Sequence, residues 1–140
     1  MKKNHYKLVI QPPKKMRYPT TGDYYKTKNG WTIVGADLKN PDYNFLTLIH
    51  EFVELYLTQR RGILEPKIKK FDEWFEREKG RGRFKKILGP GWHPKAPYRK
   101  EHLVALKVEK LLAKELGVSQ LKQGKIEDKT LNKIKKGFFN

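Results

Sequence analysis

Apolar residues recur along this chain with two different periods, which separate predicted strands from predicted helices. Residues 6–11 are β-prone and stop at Pro12-Pro13, as an edge strand would. Residues 31–36 form a second β-prone run after the turn signal Lys28-Asn29-Gly30. The pattern therefore predicts a short two-stranded sheet or β-ribbon, with residues 14–29 as an irregular loop between its strands.

Apolar positions three and four residues apart mark the predicted helices. Asn40-Pro41 predicts a helix start, because asparagine caps a first turn and proline fits the first helical position. That helix is expected to run to about Arg61, with Gly62 as its C-terminal cap. Further helices are predicted over about 65–79 and 98–116, followed by a short helix or an ordered tail within 122–140.

Residues 80–97 are rich in glycine and proline, which predicts a loop between two of these helices. A loop of this length is often functional, so a lid over a site is one interpretation. A plain surface connection is the other, because glycine with basic and aromatic residues also fits a simple crossing.

These elements predict an α+β fold that is mostly α, with three or four helices packed with a short N-terminal β-ribbon. The length of 140 residues suits a single domain, 1–140. Within it we expect a β-rich N-terminal part over 1–38, a helical core over 40–118 and a basic C-terminal segment over 119–140.

The composition limits the chemistry that this domain can perform. Because the chain has no cysteine, disulfides, thiolate zinc sites and cysteine nucleophiles are excluded. Any bound metal must therefore be held by histidine, aspartate or glutamate. The apolar run at residues 8–10 is too short for a signal peptide or a membrane span, so we expect a cytoplasmic protein without a membrane partner.

A formal net charge of +17 predicts attraction to nucleic acid or another polyanion. Arg81, Arg83 and Trp92 in the predicted loop are the candidate contacts, because they combine positive charge with an aromatic ring. The lysines are nevertheless scattered over nearly every segment, so a generally solvated basic surface is the alternative. The oligomeric state stays open at this point.

The helix that starts at Asn40-Pro41 carries a polar stripe within a broad apolar arc. His50 and Glu54 lie on this stripe four residues apart, so their side chains are neighbours on one face. Two ligands one helical turn apart can bind one metal ion, and Glu51, which follows His50, can accept a proton from a metal-bound water. A solvated face of an amphipathic helix is the competing interpretation.

The predicted helix at 98–116 has a second polar line inside an apolar arc. His102 and Glu109 are seven residues apart, so they are stacked two turns apart on the face opposite to the lysines. A buried carboxylate needs a partner, because leaving its charge unpaired costs on the order of several kcal/mol. We therefore expect the two helices to bring His50, Glu54, His102 and Glu109 together, as a metal site or as a hydrogen-bonded ionic cluster. The convergence of two independent pairs favours metal.

The segment His50-Glu51-Phe52-Val53-Glu54 resembles the His-Glu-x-x-His motif of the zincin class of metallopeptidases, with glutamate in place of the second histidine. The resemblance implies that His50 and Glu54 are metal ligands, that Glu51 is the general base, and that His102 or Glu109 is the downstream ligand. Zinc is the expected ion. The extra carboxylate also suits harder ions such as manganese or iron.

A larger part of the chain, about 45–118, is similar to a group of small uncharacterised bacterial and phage-borne proteins. The similarity is carried by the helix motif at 50–54 and by Arg61-Gly62-Ile63, Phe71-Asp72, Ala96-Pro97-Tyr98-Arg99-Lys100-Glu101-His102, Glu109 and Glu115-Leu116-Gly117-Val118. This similarity implies that the two helices belong together and indicates no substrate.

Three functions are compatible with these patterns. The leading hypothesis is a metal-dependent hydrolase, peptidase-like in mechanism, with Glu51 activating a metal-bound water. The second is a basic nucleic-acid-binding module without catalysis. The third is a structural protein whose buried histidines and glutamates only lock two helices together.

Overall fold

The computed structural model describes residues 5–139, without the side chain of Phe139. Within this part the chain forms three strands and four α-helices, so the predicted α+β fold, mostly α, is confirmed. The elements are β1 (His5–Gln11), β2 (Gly22–Thr27), β3 (Gly30–Ala36), α1 (Pro41–Arg60), α2 (Glu65–Gly80), α3 (Arg99–Leu116) and α4 (Gln120–Phe139). Two short 3-10 turns lie at Pro13–Lys15 and Pro90–Trp92.

The sheet has three strands in the order β1-β3-β2, one more than the sequence predicted. Strand β3 is central, parallel to β1 and antiparallel to β2. The expected irregular loop over 14–29 is therefore wrong for β2, which joins β3 through a two-residue turn at Lys28-Asn29. Asp23 and Lys26 interrupt the apolar pattern of β2, so its pairing with β3 stabilises a strand that its own side chains do not indicate.

The helix boundaries follow the signals in the sequence. The Asn40 side chain accepts hydrogen bonds from the backbone amides of Asp42 and Tyr43, at 3.0 and 3.2 Å. Gly62 lies at a φ of +71°, a conformation that favours glycine at a helix C-terminus. The main difference is α4, which extends over 20 residues where a short helix or tail was expected.

The described chain forms two compact units whose boundaries fall inside helices α1 and α3. The first unit contains the residues up to Phe52 and those from Val108 onward. One of its cores joins Met16, Val34, Ala36 and Ile134, so α4 contributes to the packing beside the sheet. A second core joins Leu38, Tyr43, Leu46 and Ala113.

The second unit, Val53–Lys107, is organised by aromatic side chains. The rings of Phe71, Trp74, Phe75 and Phe84 all lie within 4.7–6.1 Å of the imidazole of His93, centroid to centroid. Phe84 and His93 belong to the segment that was predicted as either a lid or a plain surface connection. Gly91, His93 and Ala96 are buried, whereas Leu88 and much of the rest of this segment are exposed, so a few side chains anchor the segment to the interior of its unit.

Candidate metal centre

The polar stripe of α1 is buried, whereas part of its apolar arc is exposed. Phe45 and Tyr56 are 42% and 53% exposed. The buried polar side chains are spaced three and four residues apart and are those of Thr47, His50, Glu54 and Thr58. The two threonines bond back to carbonyls of their own helix, at 3.0 and 2.8 Å. The stripe is therefore not the solvated face of an amphipathic helix.

Within the second unit, Glu54 meets His102 directly. Nδ1 of His102 lies 3.0 Å from Oε2 of Glu54, and the two side chains are only 13% and 8% exposed. A carboxylate this close to an imidazole either accepts a hydrogen bond from the ring N–H or binds the same cation as the unprotonated ring nitrogen. The contact was predicted from the inward-facing line of α3.

The segment before α3 fixes the position of the His102 ring. The rings of Trp92 and Tyr98 contact it edge-on, at centroid distances of 5.6 and 6.5 Å. The backbone at Gly91 also lies against the ring of His102. A Cβ added to this glycine would lie 2.5 Å from Cγ of His102 and 2.7 Å from its Nδ1. Only glycine leaves enough space for the imidazole to approach the backbone here.

Within the first unit, His50 meets Glu109. Nδ1 of His50 lies 3.1 Å from Oε1 of Glu109, and both side chains are nearly buried. The other carboxylate oxygen of Glu109 accepts hydrogen bonds from the side-chain amides of Gln120 and Gln123, at 2.9 and 3.4 Å. Glu109 is thus held from α4 while it faces the imidazole of α1.

A further acid, the partly buried Glu127, extends this network and was not identified from the sequence. Gln123, which is 2% exposed, also donates a hydrogen bond to Glu127 at 2.9 Å. Burial raises the pKa of Glu127 to about 7, the Gln123 bond opposes that rise, and nearby Glu109 adds to it. The four-residue spacing of Gln123 and Glu127 was the available signal, but lysines dominate the sequence around them.

His50, Glu54 and His102 form a group that can hold a metal ion. One potential ligand atom from each residue lies within 4.8 Å of the others. His50 is one helical turn from Glu54 on α1, and His102 is in contact with Glu54, so Glu54 links the group. Glu109 is outside this group and touches it through His50.

Glu51, the predicted general base, lies beside the sheet of the first unit. A Cβ added to Gly22 would be 2.5 Å from Oε1 of Glu51, so the carboxylate occupies the space that this glycine leaves open. The side chain is partly buried. Its catalytic role stays a prediction.

Asp72 is a partly buried acid in the unit that holds Glu54 and His102. The Tyr98 hydroxyl donates a hydrogen bond of 2.6 Å to Oδ1 of Asp72. Burial raises the pKa of Asp72 to about 7, the Tyr98 bond opposes that rise, and the charge of Glu54 adds to it. Tyr98 therefore contacts both this acid and the His102 ring.

The two arginines predicted to contact nucleic acid are exposed and share one carboxylate partner. Arg81 and Arg83 both pair with the carboxylate of Glu78, at 3.2 and 3.1 Å. Trp92 is 39% exposed, but it packs against His102. Their function in binding stays a prediction.

Comparisons with protein-family models, with curated proteins and with solved structures find no match for the chain. The zincin resemblance therefore rests on the sequence motif at 50–54 and stays a prediction. Among the residues that the structure describes, no helix has the length and apolar character needed to cross a membrane.

Proposed function

We propose that the chain binds a divalent metal ion through His50, Glu54 and His102 and acts as a metal-dependent hydrolase of amide or ester bonds. The single observation that carries the proposal is the buried group of two imidazoles and one carboxylate with ligand atoms within 4.8 Å. Two histidines and a glutamate are the ligand set of one class of catalytic zinc site. Zinc is the expected ion, with manganese or iron as alternatives.

The charges at the group support a cation. With both histidines neutral, Glu54 gives the group one negative charge, and Glu109 adds a second through its contact with His50. A divalent ion would balance the two.

Each residue then has a distinct task. Glu109, whose Oε1 lies 3.1 Å from Nδ1 of His50, would position the imidazole of that ligand. Glu51 would accept a proton from the attacking water and pass it to the leaving group. A bound divalent metal would supply Lewis acidity, lowering the pKa of water and polarising the substrate carbonyl.

Metal content tests the binding half of the proposal. We expect about one zinc per chain by elemental analysis of protein purified without chelator. His102→Leu should lose the ion but keep its helical circular dichroism, while His5→Leu, at an exposed position, should keep it. A chain that binds no divalent ion, even after titration, would instead support the structural ionic cluster.

The catalytic half needs a separate variant. Glu51→Gln should retain the metal and lose hydrolysis of labelled casein by about 100-fold or more, the range expected for a general base. If Glu51→Gln cleaves casein at the wild-type rate, Glu51 is not the base. If the metal-loaded wild type shows no cleavage of amide or ester substrates, the hydrolase assignment fails while the metal site stands.

A further inference from the structure

A groove in the second unit combines positive charge with aromatic walls and takes no part in the proposed metal centre. Its volume is about 530 Å³. Helix α2 provides one wall, and the segment around Pro97 provides the other. The lining residues are Lys67, Lys70, Phe71, Glu73, Trp74, Arg77, Lys95 and Pro97.

The helical wall of the groove follows from sequence spacing. Lys67, Lys70, Trp74 and Arg77 are three or four residues apart, so they lie along one face of α2. From Lys67 to Arg77 this face extends about 15 Å, at 1.5 Å of rise per residue. The groove therefore has the extended form of a site for a linear ligand.

The groove carries four cations, from Lys67, Lys70, Arg77 and Lys95, against the single carboxylate of Glu73. All four cationic side chains are exposed. Within residues 5–139 none of the four takes part in an ion pair, in contrast to Arg81 and Arg83 on Glu78. Their charge is available to an anionic ligand.

Aromatic rings distinguish this groove from a merely basic surface. Phe71 and Trp74 line it, and Trp74 is supported from within the unit by the rings of Phe84 and His93, each at 5.5 Å. Proteins bind single-stranded nucleic acid with cationic side chains that contact the phosphates and aromatic rings that stack on the bases. An acidic peptide would use the cations but would have no need of the rings.

We propose that this groove binds single-stranded nucleic acid, with Lys67, Lys70, Arg77 and Lys95 contacting phosphates and Trp74 stacking on a base. The net charge of +17 on the whole chain favours the encounter, and the groove localises the contact. This site differs from the Arg81, Arg83 and Trp92 set expected from the sequence. It is independent of the metal centre.

The test is fluorescence anisotropy of the full chain with labelled oligothymidine of about twelve nucleotides, within the site sizes known for single-strand binding. Lys67→Ala/Lys70→Ala should weaken binding roughly tenfold or more, because two phosphate contacts are lost. The matched control is Lys133→Ala/Lys136→Ala, two exposed lysines three residues apart on α4, which should change binding less than about threefold. Trp74→Leu should weaken binding roughly tenfold.

An abasic strand of the same length separates stacking from charge. It keeps the phosphates and lacks the bases, so it should bind roughly tenfold more weakly than oligothymidine. The proposal is overturned if both lysine pairs reduce binding equally, if the abasic strand binds as tightly, or if polyglutamate at equal charge displaces the oligonucleotide equally well. If Trp74→Leu fails to fold, the lysine pairs and the abasic strand still decide the result.

Discussion

Replacing Glu109 by glutamine tests whether this carboxylate positions a metal ligand. Its Oε1 lies 3.1 Å from Nδ1 of His50, while Gln120 and Gln123 hold its other oxygen. Glutamine keeps the size of the side chain, removes its negative charge and replaces one of its two acceptor oxygens by an NH2 donor. The variant therefore removes the charge of Glu109 together with one hydrogen-bond acceptor, at nearly constant volume.

The expected magnitude follows from this contact. Loss of a carboxylate that orients a metal-bound histidine typically lowers metal affinity by about 10–100-fold. That range equals about 1.4–2.8 kcal/mol of binding free energy. Because glutamine keeps the volume of the side chain and one acceptor oxygen, we expect Glu109→Gln to lie near the tenfold end.

Zinc affinity, measured by competition with a chromophoric chelator, provides the assay. Glu115→Gln is the matched control, because it removes the same charge from an exposed position on the same helix. The control should bind zinc within about twofold of the wild type, since a solvated charge interacts weakly over this range. If Glu109→Gln and Glu115→Gln bind zinc equally well, Glu109 does not position His50.

Two further predictions concern the surroundings of His102. Asp72→Asn should stabilise the protein at pH 8 but not at pH 4. The pKa of the Asp72 carboxyl is 3.8 in the unfolded chain and about 7 in the folded protein. Ionisation of the partly buried carboxyl therefore lowers the free energy of unfolding as pH rises through this window, by up to about 4 kcal/mol. Equal changes in the urea unfolding free energy at both pH values would contradict this. Gly91→Ala should displace the His102 ring, lower zinc affinity at least tenfold and lower the free energy of unfolding by about 1–3 kcal/mol. Gly89→Ala is the control, because a Cβ at residue 89 meets no atom within 4 Å, and it should change neither zinc affinity nor stability. Equal zinc affinity in both alanine variants would show that Gly91 does not position the ring.

The two ends of α1 could be predicted because local chemistry determines them. Asn40-Pro41 and Gly62 are capping signals whose effect does not depend on distant residues. Strand β2 could not be predicted in the same way, because Asp23 and Lys26 break its apolar alternation and its pairing with β3 supplies the stabilisation.

The candidate site was predictable where two polar residues share an apolar face. Glu54 and His102 each lie on such a face, and the structure places them 3.0 Å apart. The contacts of Glu109 with Gln120 and Gln123 were not predictable, because only a short helix or an ordered tail was expected where α4 lies, and the partners of its inward polar residues depend on tertiary packing. The support of His102 by Gly91 likewise depends on the path of an irregular segment.

The most direct test of the metal centre is anomalous diffraction at the zinc edge from crystals of the full chain grown with zinc. We predict one strong peak bonded to a nitrogen of His50, an oxygen of Glu54 and a nitrogen of His102, at distances of about 2.0–2.2 Å. The account would be contradicted if these three side chains are ordered in the crystals but no anomalous peak lies between them, whether zinc is bound elsewhere or not at all.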